Sequence, residues 1–223
     1  MLYDQVISSL KSQSNPKNVE GMKRFGIGTK NTLGISVVVL RGMAKGIGKN
    51  HDLAGRLWSS GIHEARILAP MIEETEKVTE KQMNRWVEDF DSWDICDQCC
   101  GNLFDKTPYA YEKAVEWSRD DREFVRRAGY VMMAALSVHD KEADDNEFVQ
   151  FLSMIKRGAT DERNFVKKAV NWALRQIGKR NKRLNKLAIE AAREIKAMDS
   201  VSARWIASDA LRELTSEEVK GRL

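Results

Sequence analysis

Stepped at 100° per residue, the segment Phe165 to Lys179 puts Val166, Val170, Ala173, Leu174 and Ile177 on one side and Lys168, Trp172, Arg175 and Lys179 on the other. That period belongs to a helix with one buried side. The same reading predicts helices at 2–13, 17–25, 34–48, 51–59, 62–74, 79–90, 92–104, 108–118, 121–138, 145–157, 162–178, 182–197 and 200–213. No long alternating run of Val, Ile and Thr competes with them. Breaks or helix starts fall at Asn15-Pro16, Thr107-Pro108 and Asp199-Ser200, and Gly26 to Gly34 reads as a loop. No segment has the composition of a long flexible linker. The expectation is an all-α fold in a single domain spanning 1–223.

One stretch returns. Asp120-Asp121-Arg122-Glu123-Phe124-Val125-Arg126-Arg127-Ala128 comes back 41 residues later as Asp161-Glu162-Arg163-Asn164-Phe165-Val166-Lys167-Lys168-Ala169, with five of nine positions identical. A period near 40 in a helical chain is that of two-helix units of the HEAT type, which stack into a solenoid. The repeat keeps a basic pair as well as apolar residues, so it points to an anionic ligand on one face.

Composition sharpens this only locally. The chain has 223 residues and a formal net charge of +4. Residues 1–100 balance 13 basic against 13 acidic side chains, whereas Arg163 to Ile189 holds nine Lys or Arg and no Asp or Glu. Such a block is either a polyanion surface or a solvated helix face. The longest apolar stretch, around Ile35 to Leu40, is too short to span a bilayer, so no membrane partner is expected. The first residues lack a basic segment followed by an apolar one, which leads to the expectation of a cytoplasmic protein. Cys96, Cys99 and Cys100 are too few for a four-ligand zinc site and read as small buried residues.

Three further helices repeat the separation of core and outer side. On the segment 92–104, Ile95, Cys96, Cys99 and Leu103 form the apolar stripe; Trp93 and Asp97 lie one turn apart on the other side, with Gly101 a turn beyond. On 121–138, Val125, Met132 and Leu136 face the core and Arg127, the counterpart of Lys168, points away. The last helix sets Arg204, Trp205, Ser208 and Arg212 opposite Ala203, Ala207, Ala210, Leu211 and Leu214. Equivalent helices of a solenoid would gather Trp93, Asp97, Arg127, Lys168 and Trp172 on one concave basic surface. The plainer alternatives are that Trp172 packs on a neighbouring helix and that Asp97 is a surface carboxylate or an arginine's partner.

With these residues in place, the chain resembles the alkylpurine DNA glycosylases of the AlkD type, which are built from HEAT-like repeats. Trp93-Asp94-Ile95-Cys96-Asp97 resembles that family's Trp-Asp-x-x-Asp motif. Phe124-Val125-Arg126-Arg127-Ala128 resembles the helix with its functional arginine, and Lys168-Ala169-Val170-Asn171-Trp172-Ala173-Leu174-Arg175 the helix with its second tryptophan. The resemblance extends to Leu57-Trp58 and Glu64-Ala65-Arg66. It implies hydrolysis of the N-glycosidic bond of cationic alkylated purines, of the 3-methyladenine or 7-methylguanine kind, in double-stranded DNA.

In that chemistry Asp97 would stabilise the charge that develops on the sugar and position a water. Trp93 and Trp172 would lay their rings against the deoxyribose. Arg127 would hold a phosphate, and Lys168, Arg175, Lys179, Arg204 and Arg212 would bind the DNA backbone. No metal or nucleotide cofactor is implied, and a monomer is expected. The alternatives are a non-catalytic HEAT-repeat DNA-binding protein and, fitting the basic block less well, a protein–protein scaffold.

Overall fold

Side-chain caps fix where many of these helices begin. Asn15 accepts from the Lys17 and Asn18 amides ahead of Pro16, Asn50 from Leu53, Thr79 from Gln82, Asn181 from Leu184 and Ser200 from Ala203. The computed structural model describes residues 2–223. Its helices are α1 (Tyr3–Ser12), α2 (Pro16–Lys23), α3 (Val37–Ile47), α4 (His51–Ser59), α5 (His63–Ile72), α6 (Glu80–Glu88) and α7 (Trp93–Asn102). They continue with α8 (Ala110–Trp117), α9 (Glu123–His139), α10 (Asp145–Gly158), α11 (Asn164–Gly178), α12 (Lys182–Lys196), α13 (Val201–Leu214) and α14 (Glu217–Lys220). No strand occurs among the described residues. Every helix expected from the sequence is present, within three residues at either end. The short 3-10 turns Thr75–Lys77 and Phe104–Lys106, and α14, were not foreseen.

The chain forms two compact units that meet in sequence at Thr107-Pro108. In the first, α5 packs against α3, α4 and α7. Its centre is aromatic: the Trp58 and Trp86 rings stack 4.2 Å apart and nearly parallel, with Phe90 and Phe104 against them. Such a pair contributes about 0.5–1.5 kcal/mol beyond the area it buries. The Trp58 indole nitrogen donates to Asp89 Oδ2 at 2.8 Å, so the ring is buried without leaving its N–H unsatisfied.

In the second unit α9, α11 and α13 follow one another as neighbours, α8 packs on α9, and α10 and α12 pack together behind them. Helix α9 therefore has partners on several sides and is buried along most of its length. Gly129 is needed there. A Cβ at that position would lie 2.3 Å from the Ser118 amide nitrogen, where the end of α8 crosses.

The internal repeat is a device for joining α9 to α11. In both copies the arginine folds back on the aspartate two residues earlier: Arg122 on Asp120, Arg163 on Asp161. Arg126 Nη1 then donates to Asp161 Oδ2 at 3.0 Å, and Arg163 Nη1 donates to the Asp121 carbonyl at 2.6 Å. The two equivalent phenylalanines, Phe124 and Phe165, touch with ring centroids 5.5 Å apart. The basic pair of the first copy, Arg126-Arg127, is therefore engaged within the protein, whereas Lys168 of the second copy stays exposed. Much of the repeated charge is used between neighbouring repeats.

Candidate functional site

Helix α7 sorts its residues as the wheel required. Ile95, Cys96, Cys99 and Cys100 are buried, and Trp93 and Asp97, one turn apart, are half-buried. Gly101, a further turn along, would carry a Cβ into open space, so the approach to Asp97 along this side is unobstructed by that residue. Burial raises the Cys99 and Cys100 thiols well above their ordinary range, which keeps them protonated and unreactive.

The two aspartates of the Trp-Asp-x-x-Asp segment differ. Asp94 is buried, and its Oδ2 lies 2.8 Å from Nε2 of the buried His63 at the start of α5. Burial disfavours charge on both. The shared hydrogen bond and mutual attraction overcome it, holding Asp94 below the usual carboxylate range and His63 above the usual imidazole range. Asp94 thus ties α7 to α5, and Asp97 lies half-buried one turn from Trp93.

Trp93 is oriented by the loop between α2 and α3. Its indole nitrogen donates to the Phe25 carbonyl at 3.1 Å. The loop is anchored in turn by Glu64, a fully buried carboxylate that accepts from the amides of Leu33, Gly34 and Ile35 at 2.8, 2.6 and 3.3 Å. Gly34 has φ +78°, and a Cβ there would stand 2.3 Å from the Asn15 carbonyl oxygen. Three backbone donors for one carboxylate fix the loop, and the loop fixes the tryptophan.

The remaining expected residues lie in the second unit. Lys168 is exposed, with no carboxylate partner among the described residues. Trp172 is half-buried, and its indole nitrogen has no hydrogen-bond partner among the described residues, so it can donate to an acceptor from outside. Arg204, Trp205, Ser208 and Arg212 are exposed, as the last helix's pattern required.

Three placements correct the sequence reading. Arg127 does not point to solvent; it is 5 % exposed and donates from Nη1 to the Phe165 carbonyl at 2.7 Å. The side of α9 opposite its core stripe faces α11, so the wheel gave the right angle and the wrong surroundings. Arg175 and Lys179 are not free cations. Arg175 bonds to Asp209 Oδ2 at 3.2 Å and to Glu213, and Lys179 Nζ reaches Glu213 Oε1 at 2.7 Å. Burial works to raise Glu213, but the bonds from Lys179 and Arg175 hold it below its usual value, as an ionised partner. Arg204 and Arg212 also have partners, Asp199 at 3.3 Å and Asp209 respectively.

A second basic region went unnoticed. Between Glu20 and Asp52 there are Lys23, Arg24, Lys30, Arg41, Lys45 and Lys49, and no carboxylate. Lys23, Arg24 and Lys30 are exposed on the segment that holds Trp93, and Arg41 and Lys45 are exposed on α3. Averaging charge over residues 1–100 hid them; a window of about 30 residues would have found them.

The chain matches the model of the DNA alkylation repair enzyme family over residues 6–214, and it belongs to that family. Among curated proteins no sequence matches it. A solved structure described as a new family of proteins related to the HEAT-like repeat DNA glycosylases, with affinity for branched DNA structures, superposes with a TM-score of 0.80. That pair is 19 % identical and covers 96 % of each chain, so the fold is the HEAT-like helical-repeat fold. An engineered protein (15 % identity, 89 % of this chain and 97 % of that one) and a designed armadillo repeat protein (14 %, 79 % and 92 %) reach TM-scores of only 0.39 and 0.36.

Proposed function

We propose that this member of the DNA alkylation repair enzyme family is a DNA N-glycosylase that releases cationic alkylated purines from double-stranded DNA. The observation that carries the reading is the arrangement on α7: buried Asp94 pairs with His63, and half-buried Asp97 stands one turn from Trp93, whose ring is held by its own hydrogen bond. A purine alkylated at N3 or N7 already carries positive charge and leaves as a neutral base. As the bond to C1′ breaks, the charge passes to the sugar. The Asp97 carboxylate stabilises it, directs a water to C1′ and accepts that water's proton as the new C–O bond forms. Trp93 presents its ring to the sugar, a cation–π contact of about 0.5–2 kcal/mol.

The second unit offers its own DNA contacts, with Lys168 as a backbone cation and Trp172 as a ring with a donor to spare. Arg127, enclosed between α9 and α11, takes no phosphate in this reading. The test is to incubate the protein with duplex DNA containing 7-methylguanine and to measure free base, which should appear in proportion to enzyme. No release over background, from several alkylated purines, would defeat the proposal.

One observation favours a second reading, DNA binding without base release. Asp209 and Glu213 neutralise three of the cations expected to grip a duplex, Arg175, Lys179 and Arg212, and the structure with the same fold is described as having affinity for branched DNA. Binding of junction DNA well above linear duplex, with no base release, is the outcome that reading requires.

A further inference from the structure

The seam between α11 and α13 is electrically divided. Toward the C-terminal ends, Arg175 and Lys179 are matched by Asp209 and Glu213. Toward the N-terminal ends the surface is cationic and aromatic. Trp205 is 42 % exposed there, whereas Trp58, Trp86 and Trp117 are no more than 3 % exposed. The Lys167 ammonium lies 5.6 Å from the Trp205 ring centroid. Val201, one turn earlier on α13, is 67 % exposed; Arg204, next to Trp205 in the chain, and Lys168, next to Lys167, are exposed as well.

Two carboxylates face this end, and both are engaged. Glu162 accepts from Ser200 Oγ at 3.0 Å and from the Ser202 amide and Oγ at 3.3 Å, capping α13. Asp199 pairs with Arg204.

We propose that Trp205, with Lys167 at its ring and the exposed Lys168 and Arg204 as chain neighbours of these two, is a stacking platform for unpaired nucleotides of single-stranded DNA. An indole on an open helix face can take a base only if the base shows its own face. In a duplex those faces are covered by neighbouring bases; in single strands, and where strands separate, they are open. The Lys167 ammonium steadies the ring from one contact and stands within a side chain's reach of the phosphate next to a stacked base. An acidic peptide would satisfy the cations but leave the indole and Val201 without a partner. Stacking requires no particular base, so the platform should be indifferent to sequence. Trp205 belongs to neither Asp97's helix nor its unit, so the platform holds whether or not the protein releases bases.

The experiment measures binding of a fluorescein-labelled thymidine 12-mer, and of a 12-base-pair duplex, by anisotropy at one salt concentration. Trp205→Ala should weaken the single strand about tenfold, equivalent to ~1.4 kcal/mol. It should change the duplex by less than about twofold. Trp205→Phe should recover most of the loss while removing the quenching of tryptophan emission that the 12-mer causes in the parent protein. Unchanged single-strand affinity in Trp205→Ala would overturn the proposal. So would an equal loss for strand and duplex, which would make Trp205 an ordinary duplex contact.

Discussion

Asp94 and Asp97 show how much a three-residue shift along one helix changes a carboxylate's work. Asp94 is stabilised as an anion inside the first unit by His63, and this pair has a pH signature. His63 is raised above 6.5, so its contribution is complete below that value and is lost as pH rises through its folded pKa. Asp94 is lowered below 3.8, so its contribution is present above that value and lost as pH falls through its folded pKa. The pair is therefore worth most above the ordinary Asp value of 3.8 and below the ordinary His value of 6.5. Asp94→Asn should lower the melting temperature more at pH 5.5 than at pH 9. An equal drop at both, by thermal unfolding across that range, would mean the pair is not ionised. Neither partner was legible in the sequence, because His63 and Asp94 are 31 residues apart and their contact exists only once α5 and α7 pack.

Helices were far more legible than their surroundings. Local rules of period, capping and breaking recovered the helices from α1 to α13, with α4 matching to the residue because Asn50 caps it. The buried stripe of α11 was also legible: Val166, Val170, Ala173, Leu174 and Ile177 all have no exposed surface. What a wheel cannot supply is the neighbour. The same construction marked Arg127 and Lys168 as equivalent, yet α11 covers the first and leaves the second exposed. Charge runs fail for the same reason, since Asp209 and Glu213 stand 34 or more residues from Arg175 and Lys179, which they neutralise. The difference is measurable. Arg127→Ala should cost about 1–3 kcal/mol of stability by removing a buried side chain and its bond to the Phe165 carbonyl, which ties α9 to α11. Lys168→Ala should leave stability unchanged and make the slope of log affinity for duplex DNA against log salt shallower by about 0.9, one phosphate contact. Denaturant unfolding and a salt series on both variants would separate the roles, and a shallower salt slope for Arg127→Ala at full stability would reverse the assignment.

At the scale of the whole molecule, a net charge of +4 is modest for a DNA-binding chain. Its cations are unevenly matched, however. In the first unit Lys23, Arg24, Lys30, Arg41 and Lys45 have no carboxylate partner among the described residues; in the second much of the Arg163–Ile189 block is paired internally. The family and fold make DNA the partner to test, and the proposed chemistry rests on Asp97. Its carboxylate should repel phosphates in the ground state and attract the sugar's charge in the transition state, which is differential stabilisation of the kind that raises a rate. The decisive measurement is single-turnover release of 7-methylguanine from duplex DNA by Asp97→Asn, with affinity for undamaged duplex and melting temperature taken on the same preparation. The account predicts release slowed by about a hundredfold or more, duplex affinity equal to or slightly above the parent's, and an unchanged melting temperature. Release at the parent's rate by a fully folded Asp97→Asn protein would contradict it.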